Sequence, residues 1–320
     1  MKLSRRAVLG SLLSAPALLR STGARAAART LRISHQFPGG TLEQGDFRDR
    51  LVRRFAAAVQ ERTHGALGFE IHPAATLMKP VPQFSALGRG ALDMSVFPLA
   101  YAGDEMPEAR IALMPCVVTT YEQGMAWKTQ PIGQALTNAL NQRGVKIVTW
   151  IWQAGSTVSR TAPLIRPEDL KGVTIRGGSH EMDLMLRAAG ANISTVLSNG
   201  IYGAMQAKSL DAAVTSSSTL ISSKMPEVAK AVTVGGTGSF WFMFEPLLMS
   251  KQVYDSLPPP HQKAIDEVGA ELEAFAMAAR DMDEAAIDQW RTLAEATAWK
   301  DFSGRSAECA ALLRLAQAVA

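Results

Sequence analysis

The sequence predicts an α/β fold of two lobes, with mostly parallel sheets, helices on both faces and a long C-terminal helix spanning both lobes. Three observations carry this. The chain has 320 residues, 47% hydrophobic and 19% charged, enough for about two domains with full cores. The run Ala86-Leu87-Gly88-Arg89-Gly90-Ala91-Leu92-Asp93-Met94-Ser95-Val96 aligns without a gap on Ala204-Met205-Gln206-Ala207-Lys208-Ser209-Leu210-Asp211-Ala212-Ala213-Val214. Each copy closes a βαβαβ alternation, the pattern of a sheet covered on both faces, and two such units imply a cleft between them.

In chain order, the first unit is a strand over Leu31–His35, an amphipathic helix over Leu42–Arg62 stopped by Gly65, a strand over Leu67–His72, and the helix, turn and strand of the first repeat copy. The second unit is a strand over Val173–Arg176, a helix over Glu181–Ala189 stopped by Gly190, a strand over Asn192–Val196, and the second copy. After Leu257-Pro258-Pro259-Pro260, apolar residues recur every three or four positions from Ile265 through Val268, Leu272, Phe275 and Met282 to Trp290 and Leu293. That is one helix of about 35 residues, about 50 Å long, laid across both lobes, with a coiled-coil seam as the alternative. The lobes are expected at 27–152 plus 243–283 and at 153–242 plus 284–320.

Net charge is +4, from 33 basic and 29 acidic residues. Five of the basic ones, Lys2, Arg5, Arg6, Arg20 and Arg25, lie in the first 26 residues, which hold no acid, so the remainder is close to neutral and gives no footprint for nucleic acid or an anionic membrane. Ser4-Arg5-Arg6 followed by an apolar stretch to Leu19 and Ala24-Arg25-Ala26 reads as a twin-arginine export signal over residues 1–26, too short to span a bilayer. The expected product lies in the periplasm with no membrane insertion. Cys116 sits in an apolar run that reads as core, which leaves its pairing with Cys309 open.

Enzyme signatures are missing. There is no G-x-S-x-G, P-loop, H-E-x-x-H or C-x-x-C, and His35, His64, His72, His180 and His261 show no metal-ligand spacing, so no catalytic residue, metal or cofactor is expected. Gly235-Gly236-Thr237-Gly238 lacks the lysine of a phosphate loop and reads as a turn, and the Asp281/Asp283/Glu284 group as a solvated face. The informative segment is Pro167-Glu168-Asp169-Leu170-Lys171-Gly172-Val173-Thr174-Ile175-Arg176-Gly177-Gly178-Ser179. It places a guanidinium at the carboxyl end of a strand, where open α/β sheets bind ligands, with glycines behind it that let a ligand approach. The planar fork of Arg176 suits a carboxylate. An inter-strand ion pair with Asp169 is the other use.

These residues resemble the extracytoplasmic solute-binding proteins of TRAP transporters, the DctP type, over the chain beyond the export signal. The resemblance rests on Ala58-Val59-Gln60-Glu61-Arg62-Thr63-His64-Gly65, Leu87 to Asp93, Pro167 to Arg176, Ile201 to Gln206 with Leu210-Asp211, and Leu257-Pro258, in that order. It implies the two-lobed periplasmic binding protein fold, closing like a Venus flytrap on a small organic acid that it delivers to TRAP membrane permease subunits, with Arg176 as the main partner of the carboxylate. The family's second carboxylate-contacting arginine would fall near Thr157, where this chain has none, so a monocarboxylate is expected before a dicarboxylate. Aromatics such as Trp152 and Trp241 suggest an apolar or aromatic acid. The expected ligand set is Arg176, Thr157 and Ser179, with Tyr202 and Thr215 nearby, and His35, Gln36 and Tyr101 from the first lobe. A hydrolase or lyase using the same cleft, and a binding protein read by a membrane sensor, are the rival readings.

Overall fold

The structure, a computed structural model, describes residues 29–233, 238–278 and 294–319. The expected export signal, the Gly235-Gly236-Thr237 turn and the distal half of the long helix, with Asp281, Asp283 and Glu284, lie outside the described residues.

Strands β1 (Arg29–Ser34), β2 (Leu67–His72), β3 (Met94–Val96), β4 (Val145–Thr149) and β11 (Leu247–Ser250) form the first sheet in the order β2-β1-β3-β11-β4. The second holds β5 (Trp152–Ser159), β6 (Thr174–Arg176), β7 (Asn192–Ile193), β8 (Ala212–Ser216), β9 (Ala231–Thr233) and β10 (Phe242–Phe244) in the order β10-β5-β8-β6-β7, with β9 on β5. The two-lobed α/β fold follows the expectation. Pairs within each βαβαβ unit are parallel, as β1 with β2 and β3, and β6 with β7 and β8. Both sheets are nevertheless mixed, because a strand that enters from the other lobe runs against its neighbours: β11 against β3 and β4, β5 against β8, β9 and β10.

Two segments carry the chain between sheets, Trp150-Ile151 and Glu245-Pro246, and they pair: the Glu245 amide donates to the Ile151 carbonyl over 2.9 Å. Such a two-strand crossing is where a hinge would bend.

The repeat has a structural counterpart. Asp93 accepts the Arg32 amide of β1 at 2.8 Å, and Asp211 accepts the Thr174 amide of β6 at 3.1 Å, so each Leu-Asp turn pins the strand beside it. Gly90 and Lys208, aligned in the two copies, both take left-handed backbone, with φ of +71° and +60°.

Helix α1 (Phe47–Arg62) buries Phe47, Leu51, Val52, Phe55 and Val59, one apolar stripe at helical spacing, against the first sheet. It begins at Phe47, five residues later than the pattern suggested. The Thr41 hydroxyl accepts the Gln44 amide, Gly45 turns the chain at φ +106°, and the Asp46 carboxylate then caps the helix on the Arg48 amide. Helix α2 (Gln83–Gly88) leads into β3, and α3 (Tyr121–Ala126) and α4 (Pro131–Gln142) precede β4.

In the second lobe Ser179 caps α5 (His180–Ala188) through the Met182 amide, and α6 (Ile201–Gln206) leads into β8. Ser216 caps α7 (Ser217–Ser222). Beyond α8 (Lys251–Asp255), α9 (Pro259–Ala278) lies close against α1 and β4 at Gly269, where a Cβ would strike the Val148 carbonyl. A single π-type turn at Glu295–Trp299, packed on α5 of the second lobe, precedes α10 (Lys300–Arg305) and α11 (Ala307–Gln317), of which α11 packs on α4 of the first. No disulfide joins Cys116 and Cys309, and both are buried. No described helix is long and apolar enough to cross a membrane.

Candidate functional site

Arg176 ends β6 with its side chain 1% exposed. Its Nε donates to the Val196 carbonyl (3.0 Å), Nη1 to the Val214 carbonyl (2.8 Å) and Nη2 to the Tyr101 hydroxyl (2.9 Å). The strand order explains the first two: β8 lies beside β6, and Val196 follows β7 on its other side. Gly178, at φ +99°, passes so near that a Cβ there would lie 2.7 Å from Nη1, which explains the Gly-Gly that follows the strand. The expected rival, an ion pair with Asp169, is not made. Asp169 accepts the Ile165 and Arg166 amides instead, and those two bonds hold its carboxyl below the usual range. Among the described residues no carboxylate comes within ion-pair distance of Arg176.

The guanidinium stands between cavities in the interlobe cleft. On one side is a space of about 320 Å³ lined by Tyr101, Asp104 and Arg110 of the first lobe and Arg176, Ser179 and Asp183 of the second. On the other is a pocket of only about 10 Å³, room for a single water, lined by Arg176, Tyr101, Thr215, Thr219, Trp241 and Glu245. Through Ser198 and Thr219 it adjoins a third cavity of about 290 Å³ that holds Gln36, Phe37, Arg48 and Asn199.

Of the expected residues, Arg176, Tyr101, Thr215, Trp241, Ser179 and Gln36 therefore line these adjoining cavities. Gln36 is 4% exposed, and neither its Oε1 nor its Nε2 has a partner. The Ser179 hydroxyl donates to the Leu113 carbonyl of the first lobe, and Trp241 Nε1 to the Gly177 carbonyl.

Four expected residues lie elsewhere. The Tyr202 hydroxyl donates to Glu227 at 2.8 Å, with the ring on a small cluster around Ile201 and Met205, because α6 turns that face away from the cleft. His35 is fully buried, its Nε2 3.2 Å from Asp49 and its ring stacked on Phe37. Trp152 packs edge-on against Trp127 and beside Phe244 as core. Thr157 is buried in the middle of β5, opposite Val214 and Thr233.

Arg48 and Glu245 escaped the sequence reading. Arg48, 1% exposed, is gripped by Asp46 (Nε to Oδ1 2.8 Å, Nη2 to Oδ2 2.7 Å), donates to Glu245 (3.0 Å), and reaches Ser216 (3.3 Å) and Thr219 (3.1 Å) in the other lobe. Its guanidinium carbon lies 3.6 Å from the centre of the Phe37 ring. Against burial, Asp46 and Glu245 raise its pKa, so it is permanently charged. Burial pushes the Glu245 carboxyl above the usual glutamate range, with Arg48 opposing. The available signal was a lone acid within Phe240-Trp241-Phe242-Met243-Phe244-Glu245-Pro246-Leu247. Arg48 gave none, being one of several arginines on a helix.

A further charged node joins the lobes. Arg110 reaches the fully buried Glu181 (3.4 Å), Arg305 approaches Glu181 (3.9 Å) and pairs with Asp301 (2.6 Å), and His180 lies 3.5 Å from Asp301. Donor atoms of His180, Glu181 and Asp301 lie within 4.8 Å of one another, but two guanidiniums already complement these carboxylates.

Four similarities to known proteins bear on this site. Residues 40–297 match the profile of the bacterial extracellular solute-binding proteins, family 7, DctP. A crystal structure of a TRAP periplasmic solute-binding protein from Rhodoferax ferrireducens with bound malonate superposes with a TM-score of 0.88 at 50% identity, covering 90% of this chain and 98% of that one. The C4-dicarboxylate-binding periplasmic protein DctP of Rhodobacter capsulatus is 24% identical over 312 residues, 92% of this chain and 91% of its own. A Sulfitobacter TRAP solute-binding protein with bound β-D-galacturonate shares the fold, with a TM-score of 0.79 at 20% identity over 91% of this chain and all of that one.

Proposed function

From the premise that the chain belongs to the DctP family of bacterial extracellular solute-binding proteins, we propose that it captures a small organic acid in this cleft through Arg176 and delivers it to the membrane permease subunits of a TRAP transporter. The family is extracytoplasmic and its members are receptors, not enzymes. The observation that carries the reading is the buried Arg176 guanidinium, fixed between two lobes and without an ion-pair partner among the described residues.

The bonds that hold Arg176 also orient it. Two backbone carbonyls fix the fork, and the Tyr101 bond spans the lobes, so an acid enters an open form and closure follows. Charge-assisted hydrogen bonds contribute about 1.5–3 kcal/mol each, and two of them supply a large part of the ~8 kcal/mol that micromolar binding requires. Thr215, Trp241, Ser179 and Gln36 complete the lining. The 50%-identical relative holds malonate, which turns the expectation from an aromatic monocarboxylate toward a short dicarboxylate. The paired crossings at Ile151 and Glu245 serve as the hinge. Export by the twin-arginine route belongs to the same proposal, and the mass of the mature protein recovered from the periplasm tests it.

A thermal-shift screen of short carboxylates, followed by titration calorimetry, tests the ligand class. A ligand at a hundred times its dissociation constant adds about 2.7 kcal/mol of stability. No shift with any mono- or dicarboxylate would overturn the reading.

A further inference from the structure

We propose that Glu245 takes up a proton when an acid binds, so that the cleft receives an anion and a proton together; this rests on the reading of Arg176 as the acid's partner. Glu245 is 3% exposed and lines the same small pocket as Arg176. The charged groups that face this place come from every element around it. Arg48 of α1 and its cap residue Asp46 lie on the first-lobe side, and Arg176 of β6 on the other. Beyond Arg176, Asp183 of α5 lines the adjoining cavity.

With every group ionised, the guanidiniums of Arg48 and Arg176 face the carboxylates of Asp46 and Glu245, two against two. An entering carboxylate tips this balance to net negative where little water screens the repulsion. A proton on one of the carboxylates relieves this. Asp46 does not take it, because it grips Arg48 with both oxygens and also accepts the Arg48 amide at 3.0 Å. Asp183 accepts the Gly177 amide at 3.1 Å and stands on the far side of Arg176. Of the two carboxylates that share Arg48, Glu245 has the weaker support, a single bond against the three of Asp46. Burial favours its neutral form. The step is a proton transfer: hydronium or the buffer acid gives up its proton as the O–H bond forms on the Glu245 carboxyl, Oε2 keeps accepting from Arg48, and the new hydroxyl offers the pocket a donor for a ligand oxygen.

The test is titration calorimetry with malonate at pH 7.5 in two buffers of different ionisation enthalpy, phosphate and Tris. The wild-type protein takes up about one proton per malonate, and its dissociation constant weakens by up to about tenfold per pH unit between pH 7 and 9. In Glu245→Gln, which keeps the shape and the acceptor for Arg48, uptake disappears and the pH dependence flattens. Equal enthalpies in the two buffers, uptake that survives in Glu245→Gln, or uptake lost in Asp183→Asn but kept in Glu245→Gln would each overturn the assignment. Arg176→Lys separates the two readings: unchanged malonate affinity with the uptake still lost in Glu245→Gln removes Arg176 from the site and leaves the proton with Glu245. If malonate gives no heat, the ligand reading fails, and ligand-free melting decides the role of Glu245. Wild type then loses stability relative to Glu245→Gln as pH rises from about 4.5 to 7, and a constant gap over that range would overturn it.

Discussion

The Tyr101 hydroxyl accepts from Arg176 Nη2 at 2.9 Å and from the Ser198 amide at 3.3 Å, so one phenol of the first lobe ties two segments of the second. Tyr101→Phe removes both bonds and keeps the ring, which packs edge-on against Phe97. The bond from the charged Arg176 contributes about 1.5–3 kcal/mol and the neutral one from the Ser198 amide about 0.5–1.5 kcal/mol, so the ligand-free protein should shift toward an open form and acid affinity should fall by about tenfold or more. Small-angle scattering reads the first and calorimetry the second. An unchanged radius of gyration with unchanged affinity would remove Tyr101 from closure.

Arg176→Lys is the sharper test of the anion site. Lysine keeps the charge but loses the fork, and it cannot reach the Val196 and Val214 carbonyls while also presenting two parallel donors. Acid binding should weaken by more than tenfold. Arg176→Ala should do the same, yet it also takes the donor from the buried Val214 carbonyl, which costs on the order of 1–3 kcal/mol, so its melting temperature should fall as well. Wild-type affinity in the lysine variant would sink the role.

Glu181 sets a second pH response, away from the proposed anion site. Burial pushes its carboxyl up to about 7, and Arg110 and Arg305 only partly oppose this. The folded state thus binds the proton more tightly than the unfolded chain, whose glutamate titrates near ~4.3. Its contribution is complete below that lower value and is lost as pH rises through about 7. Melting temperatures of wild type and Glu181→Gln should therefore diverge between pH 5 and pH 8, with wild type falling behind at the upper end. A parallel pair of curves would show that the two guanidiniums hold Glu181 ionised throughout.

What the sequence disclosed follows from how each feature is encoded. Strand β2 was placed at its observed bounds because Leu67–His72 follows a glycine stop and ends before Pro73. Arg176 was legible because strand, guanidinium and two glycines are consecutive. Arg48 and Glu245 were not, since their meaning arises from residues 197 positions apart meeting where the chain crosses between the sheets. Tyr202 was misplaced for the complementary reason: its motif is local, but which face of the short helix α6 meets the cleft is decided by packing on Ile201 and Met205. The mixed sheets, likewise, come from two crossings that hydrophobic patterning does not record.

Lys208 offers a stability test that leaves the cleft alone. It takes the left-handed conformation, φ +60°, at the position where the first repeat copy has Gly90 at φ +71°. Both turns close alike, Lys208 donating its amide to Met205 and Gly90 to Leu87 over 3.1 Å. A side chain in this region costs about 1–2 kcal/mol, and glycine gives back about 0.4–1 kcal/mol through the looser unfolded chain. Lys208→Gly should therefore stabilise the protein by up to on the order of 1 kcal/mol, a rise of about 1–3 °C in melting temperature, with acid affinity unchanged. The reciprocal Gly90→Lys should lose more, because a Cβ at Gly90 would lie 2.7 Å from the Gln252 side-chain oxygen. A lower melting temperature in Lys208→Gly would mean that the lysine side chain stabilises the second lobe by more than its backbone strain costs.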